Sequence, residues 1–195
     1  MIVVLGRPSD EPATRAFVAS DLGAIVLTAA DAPTGTEPSI SGHGRVILRN
    51  PVWYLPADEQ QPFMNLAGFV DAREQSFEGP MSGGNLLFVS EAFLFEDAST
   101  AQAAIDAFSA EWQVSFGFPD SEPRPVDMGD GGVLFAGPAT VQNGEPGFYY
   151  FWRRDNLVLN VAGIGDVRGE ALADLEAATE AVALDMDRRA AARVE

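Results

Sequence analysis

The sequence contains no cysteine and no lysine, and it has a single histidine, His43. Without cysteine there is no disulfide, no thiol nucleophile and no thiolate metal site. One histidine is too few for ordinary transition-metal or haem ligation, so no metal or cofactor is expected. No apolar run approaches the roughly 18 residues needed to cross a bilayer as a helix. The first six residues are apolar but short and lack a basic leader, so they do not read as a signal segment. The chain is then either cytoplasmic or an extracytoplasmic protein whose leader lies outside this sequence. All 12 basic residues are arginine, against 29 acidic residues, for a formal charge of −17. A field of that sign repels phosphate backbones and anionic lipid, which disfavours nucleic acid and acidic membrane surfaces as partners.

The chain is long enough, at 195 residues and 47% hydrophobic, for one ample core, and it reads as a single domain, 1–195. Its organising stretch is 146–193. Five consecutive aromatics, Phe148 to Trp152, open it, and can be buried only if both faces of their strand are covered or if one face binds something. Arg153 and Arg154 follow, then Asp155-Asn156, a dipeptide suited to a hairpin turn. A second apolar run, 157–162, ends at Gly163 and Gly165. The closing helix has a stripe of Leu172, Leu175, Val182 and Met186, with acids near its start and arginines near its end, as the helix dipole favours.

Earlier in the chain, Asp10-Glu11-Pro12 suggests a helix running to about Asp21, and 24–28 a short strand. Residues 45–49 read as a small strand, and the proline-bracketed run from Pro51 to Pro56 does not suit a central one. Residues 65–78 alternate in a mostly polar way, as an exposed strand would. The apolar run 86–95 has a polar interruption at Ser90-Glu91, suggesting a bulge. Ser99 to Gln102 resembles a capping box, ahead of a helix with Ala101, Ala104, Ile105, Phe108 and Trp112 on one side. Residues 120–125 form an acidic, proline-rich link. Strands at 133–136 and 139–142, or one bent strand, lead to the hairpin signal Asn143-Gly144.

Two successive sections thus run from strands to a helix, 24–118 and 124–195, which suggests a β-β-β-α duplication. The expected architecture is α+β, a curved antiparallel sheet with helices on one face.

Four short patterns carry a family resemblance: Asp31-Ala32-Pro33-Thr34-Gly35, Phe95-Glu96-Asp97-Ala98, Met128-Gly129-Asp130, and 151–158 with its aromatic-Arg-Arg-Asp-Asn order. Over 29–192 the chain resembles bacterial secreted lipoproteins of unknown function. That resemblance implies a PsbP-like curved-sheet α+β fold and an extracytoplasmic place, and it supplies no catalytic residues. The sequence differs from those proteins in showing no lipobox cysteine.

Trp53, Tyr54, Tyr149, Tyr150 and Trp152 could together line a groove with Arg153 and Arg154 at its rim, fit for a small hydrophobic or anionic ligand or a protein partner. Core packing is the competing and favoured reading. His43, between glycines, could contact a ligand or act as a base, but no triad or metal spacing surrounds it. Asp127 to Gly132 has oxygen donors for Ca²⁺ yet lacks the EF-hand order, and a solvated turn is favoured. Three functions remain: a non-catalytic, extracytoplasmic-type binding or accessory module, which is preferred; a small enzyme or ligand-binding protein using the groove, with His43 or an acid as base; and a homodimeric subunit burying the aromatic surface.

Overall fold

A computed structural model of the chain describes residues 16–45, 67–81, 84–115, 122–139 and 145–194. Seven strands build one curved antiparallel sheet: β1 (Glu37–Arg45), β2 (Phe69–Met81), β3 (Gly84–Phe95), β4 (Arg124–Val126), β5 (Gly132–Ala139), β6 (Glu145–Arg154) and β7 (Leu157–Gly165). Their order is β1-β2-β3-β7-β6-β5-β4. Two meanders therefore meet at the β3–β7 pair, and each is followed by a helix, α2 (Ala98–Ser115) or α3 (Glu170–Val194). A short helix, α1 (Leu22–Ile25), precedes them. The α+β class follows from the same strand and helix pattern that the sequence shows.

The β6–β7 hairpin turns at Asp155, whose φ of 51° lies in the left-handed region that Asp tolerates better than most residues. The five aromatics of β6 alternate across the sheet, and both faces are covered. Phe148, Tyr150 and Trp152 join Phe88, Leu159 and Val161 under α3, where Leu175, Ala183 and Met186 close the layer. Tyr149 and Phe151 join Phe93, Val158 and Phe135 against Ala101 and Ala104 of α2. The helices thus occupy opposite faces rather than the one face expected. The physical reason lies in β6 itself: a continuous apolar run has no side that can be left to water.

Other local expectations are corrected for similar reasons. Residues 16–21 are not helical, and 26–28 are not a strand. This segment lies over the α3-side face, and its burial comes from Ile25, Val26 and Leu27 packing into the core there. Ser90 does not break β3, which pairs with β7 without a shift from Leu86 to Leu94. Its hydroxyl donates to the Gln75 carbonyl (3.0 Å) and accepts from the Leu27 amide (3.2 Å), so it is satisfied in place. The α2 cap is Asp97, accepting from the Thr100 amide at 2.8 Å, rather than Ser99, whose hydroxyl donates to Asp97. β2, read as exposed, buries Ala72, Glu74, Ser76 and Phe77.

Candidate functional site

The residues expected to line one groove do not come together. Trp53 and Tyr54 lie outside the described residues. Tyr149 is buried on the α2 face, whereas Tyr150 and Trp152 are buried on the α3 face. Strand alternation separates neighbours in sequence, so they cannot share a wall. Trp152 is fully buried, and its indole N–H donates to Asp187 of α3 at 2.9 Å. Asp187 also accepts two bonds from Arg154, at 3.0 and 2.8 Å, a forked pairing that fixes α3 to the end of β6. Arg153 pairs with Asp130 at 3.0 Å and donates to Gln102 of α2. Both rim guanidiniums are therefore committed to carboxylates. His43 stands opposite Gln75 in the β1–β2 register. The 127–132 segment is a turn bonded to the hairpin: the Asp155 amide donates to the Asp130 carboxylate at 2.7 Å, and the Asp130 amide to the Arg153 carbonyl.

A different cleft, of about 400 Å³, opens where α3 passes over the outer strands. Its walls are Arg124, Pro125 and Val126 of β4, Leu134 of β5, Tyr150 of β6, and Ala173, Glu176, Ala177 and Glu180 of α3. The small residues Ala173 and Ala177 leave the helix side open at the level where β4 is only three residues long. Arg124 and Glu176 bridge the walls at 2.8 Å. Among the described residues, no cation pairs with Glu180. Burial, followed by the charges of Glu180 and Glu176, pushes the Tyr150 phenol up to about 12. Tyr150 therefore stays protonated at physiological pH and acts as a hydrogen-bond donor or acceptor, not as a phenolate base. Sequence reading named Tyr150 for another groove and missed the rest. The signal was available in part: Ala173, Ala177 and Glu180 lie at helical spacing on one side of α3.

A second polar cluster lies on the other face of the sheet. Glu74, Glu91 and Asn160 are 6%, 8% and 1% exposed. Burial raises both carboxyls, Glu74 to about 7 and Glu91 to about 8, and the facing charge of Glu74 adds to the rise of Glu91. Among the described residues, no group of three or more His, Cys, Asp or Glu is placed to hold a metal ion, and no helix is long and apolar enough to cross a membrane.

No protein-family model matches the sequence, and no curated protein matches it. Among solved structures the chain is similar to the extracellular domain of PknH from Mycobacterium tuberculosis, with a TM-score of 0.52 and 13% identity. The match covers 87% of this chain and 98% of that domain. At that identity the likeness is one of fold. The resemblance to secreted lipoproteins is not carried by these comparisons.

Proposed function

We propose that the chain is a binding or accessory module of extracytoplasmic type, and that the cleft between α3 and β4–β5 seats its ligand. The cleft carries this reading. It combines the apolar side chains of Val126, Leu134, Ala173 and Ala177 with the polar groups of Arg124, Tyr150, Glu176 and Glu180, and its volume falls within the usual range for small-molecule sites. The extracytoplasmic placement draws on the fold shared with the extracellular part of a kinase, and on the resemblance of the hairpin and turn patterns to secreted lipoproteins.

The chemistry of the walls favours a ligand with a short apolar body and a cationic or hydrogen-bonding head. Leu134, Val126, Ala173 and Ala177 take the body. Glu180 and the Tyr150 hydroxyl take the head. The anionic ligand suggested by Arg153 and Arg154 has lost its partners to Asp130 and Asp187. The burial of Tyr149, Tyr150 and Trp152 within the chain favours this reading over a dimer that buries those three side chains.

The test is an NMR titration of the isotope-labelled chain with a panel of small aliphatic and aromatic amines. Shifts are expected to cluster at Leu134, Ala173, Ala177 and Glu180, and Glu180→Gln or Tyr150→Phe is expected to weaken binding by roughly tenfold, the worth of one charge-assisted hydrogen bond. Binding unaffected by both substitutions, or shifts confined to another surface, would remove the cleft as the seat.

A further inference from the structure

Glu74 on β2, Glu91 on β3 and Asn160 on β7 stand directly opposite one another across three adjacent strands. The row begins at Gly44 on β1 and continues into Phe151 on β6 and Val133 on β5. The flanking rows are Ala72, Phe93 and Val158 on one side, and Ser76, Val89 and Ala162 on the other. The polar row therefore sits inside an apolar sheet face that α2 covers. Ser76 hydrogen-bonds to Glu74. Of the charged groups on the elements around it, Arg153 of β6 is paired with Asp130, Asp106 of α2 is exposed and accepts from Gln102, and Glu78 of β2 is exposed. Among the described residues, no cation pairs with Glu74 or Glu91.

Two facing carboxylates without a cation cannot both stay charged out of water, because desolvation and mutual repulsion act together. Asn160 indicates where the neutralising proton sits. Its Nδ2 is placed 2.5 Å from Glu91 Oε2, short for an N–H···O bond and within the range of a short O–H···O bond. Its Oδ1 is buried with no donor beside it. The two ends of an amide are alike in shape. Turned over, the amide offers Oδ1 to the Glu91 carboxyl.

We propose that Glu74, Glu91 and Asn160 form a buried proton site, in which Glu91 is the neutral acid donating to Asn160 Oδ1, and whose deprotonation loosens the α2-covered face. The upward displacement of both carboxyls by burial agrees with this arrangement. A raised acid contributes its full stability below its unfolded value and loses it as pH rises through its folded value. The site therefore responds to alkalinisation across and above neutrality. It lies on the opposite face from the ligand cleft and does not depend on that reading.

The test is thermal unfolding of the whole chain from about pH 5 to pH 9 at constant ionic strength, for the wild type, Glu91→Gln and the Glu74→Gln/Glu91→Gln double variant, paired with infrared spectra of the wild type and Glu91→Gln at pH 7. The wild-type midpoint is expected to fall toward pH 9 by roughly 5 °C or more beyond the fall of either variant. A protonated-carboxyl band is expected at pH 7 and should be lost in Glu91→Gln. Superimposable pH profiles together with no such band would overturn the proposal. So would a wild-type midpoint raised at pH 8 by millimolar Ca²⁺ or Mg²⁺ and not raised in Glu91→Gln, since a cation would then be the neutralising group.

Discussion

The Asn156 side chain donates to the carbonyls of Phe17 (3.1 Å) and Phe95 (2.9 Å) and accepts from the Phe17 amide (2.9 Å), while only 3% exposed. One turn residue thus holds the N-terminal segment, the end of β3 and the hairpin together. Asn156→Ala removes all three bonds and leaves their backbone partners buried, at about 1–3 kcal/mol for each unsatisfied group. The expected loss is about 3 kcal/mol, with urea unfolding as the measurement, and Asn156→Asp should be no milder, because a carboxylate cannot donate to the Phe17 and Phe95 carbonyls. Its identity as a turn residue is legible from Asp155-Asn156, but its cross-chain bonds are not, because Phe17 lies 139 residues away. Glu74 shows the opposite limit. Alternation in β2 separates its two sides from Asp71 onward, whereas the register shift between Phe69 and Asp71 puts Phe69 on the α2 face and Phe77 on the α3 face, and the polar side holding Glu74 and Ser76 is the one that α2 helps to cover. Periodicity identifies faces and says nothing about what is placed over them.

At the level of elements, α3 is the best-specified piece of the chain. Its stripe, its acidic start and its basic end are all readable, and Leu175, Ala183, Met186 and Ala190 are fully buried. Its depth on the sheet is set by Gly163. A Cβ there would lie far inside contact distance of the Thr179 hydroxyl, which donates to the Leu175 carbonyl at 2.6 Å. Gly163→Ala is expected to cost about 1–3 kcal/mol through overpacking. Combining it with Thr179→Ala should recover part of that loss, a non-additivity that a double-mutant cycle of unfolding free energies would measure. The glycine is visible in sequence as the end of an apolar run. That a helix crosses there, rather than a turn beginning, is not visible, and β7 in fact continues to Gly165.

For the whole molecule, two titrating groups oppose each other in pH. Hydrogen bonds from Arg189 are the main reason Asp31 lies well below the usual carboxylate range, with ion pairs of 2.7 Å to Asp31 and 2.6 Å to Asp185. A depressed acid stabilises above its unfolded value and ceases to do so as pH falls through its folded value. The Glu74–Glu91 pair acts in the other direction, losing stability as pH rises. The net charge of −17 adds self-repulsion at the alkaline end. Stability is therefore expected to peak on the acid side of neutrality. Asp31→Asn should weaken the rise in midpoint between about pH 2 and pH 5 while leaving the alkaline limb unchanged, which calorimetric scans across pH would check.

Local chemistry determined the strands β6 and β7, the helix α3, the Asp155 turn and the antiparallel α+β class, while β4 falls where the sequence reads as a link. Those properties depend on nearest neighbours, on composition or on periods of two and three to four residues, all carried by the chain itself. Tertiary structure decided that α2 and α3 occupy opposite faces, that Tyr149 and Tyr150 enter different cores, that Arg153 and Arg154 meet Asp130 and Asp187, and that Glu74, Glu91 and Asn160 fall into one row. Each of these depends on strand register and helix placement across long separations in sequence. There the outcome is set by which faces must be covered at once, and no single segment contains that information.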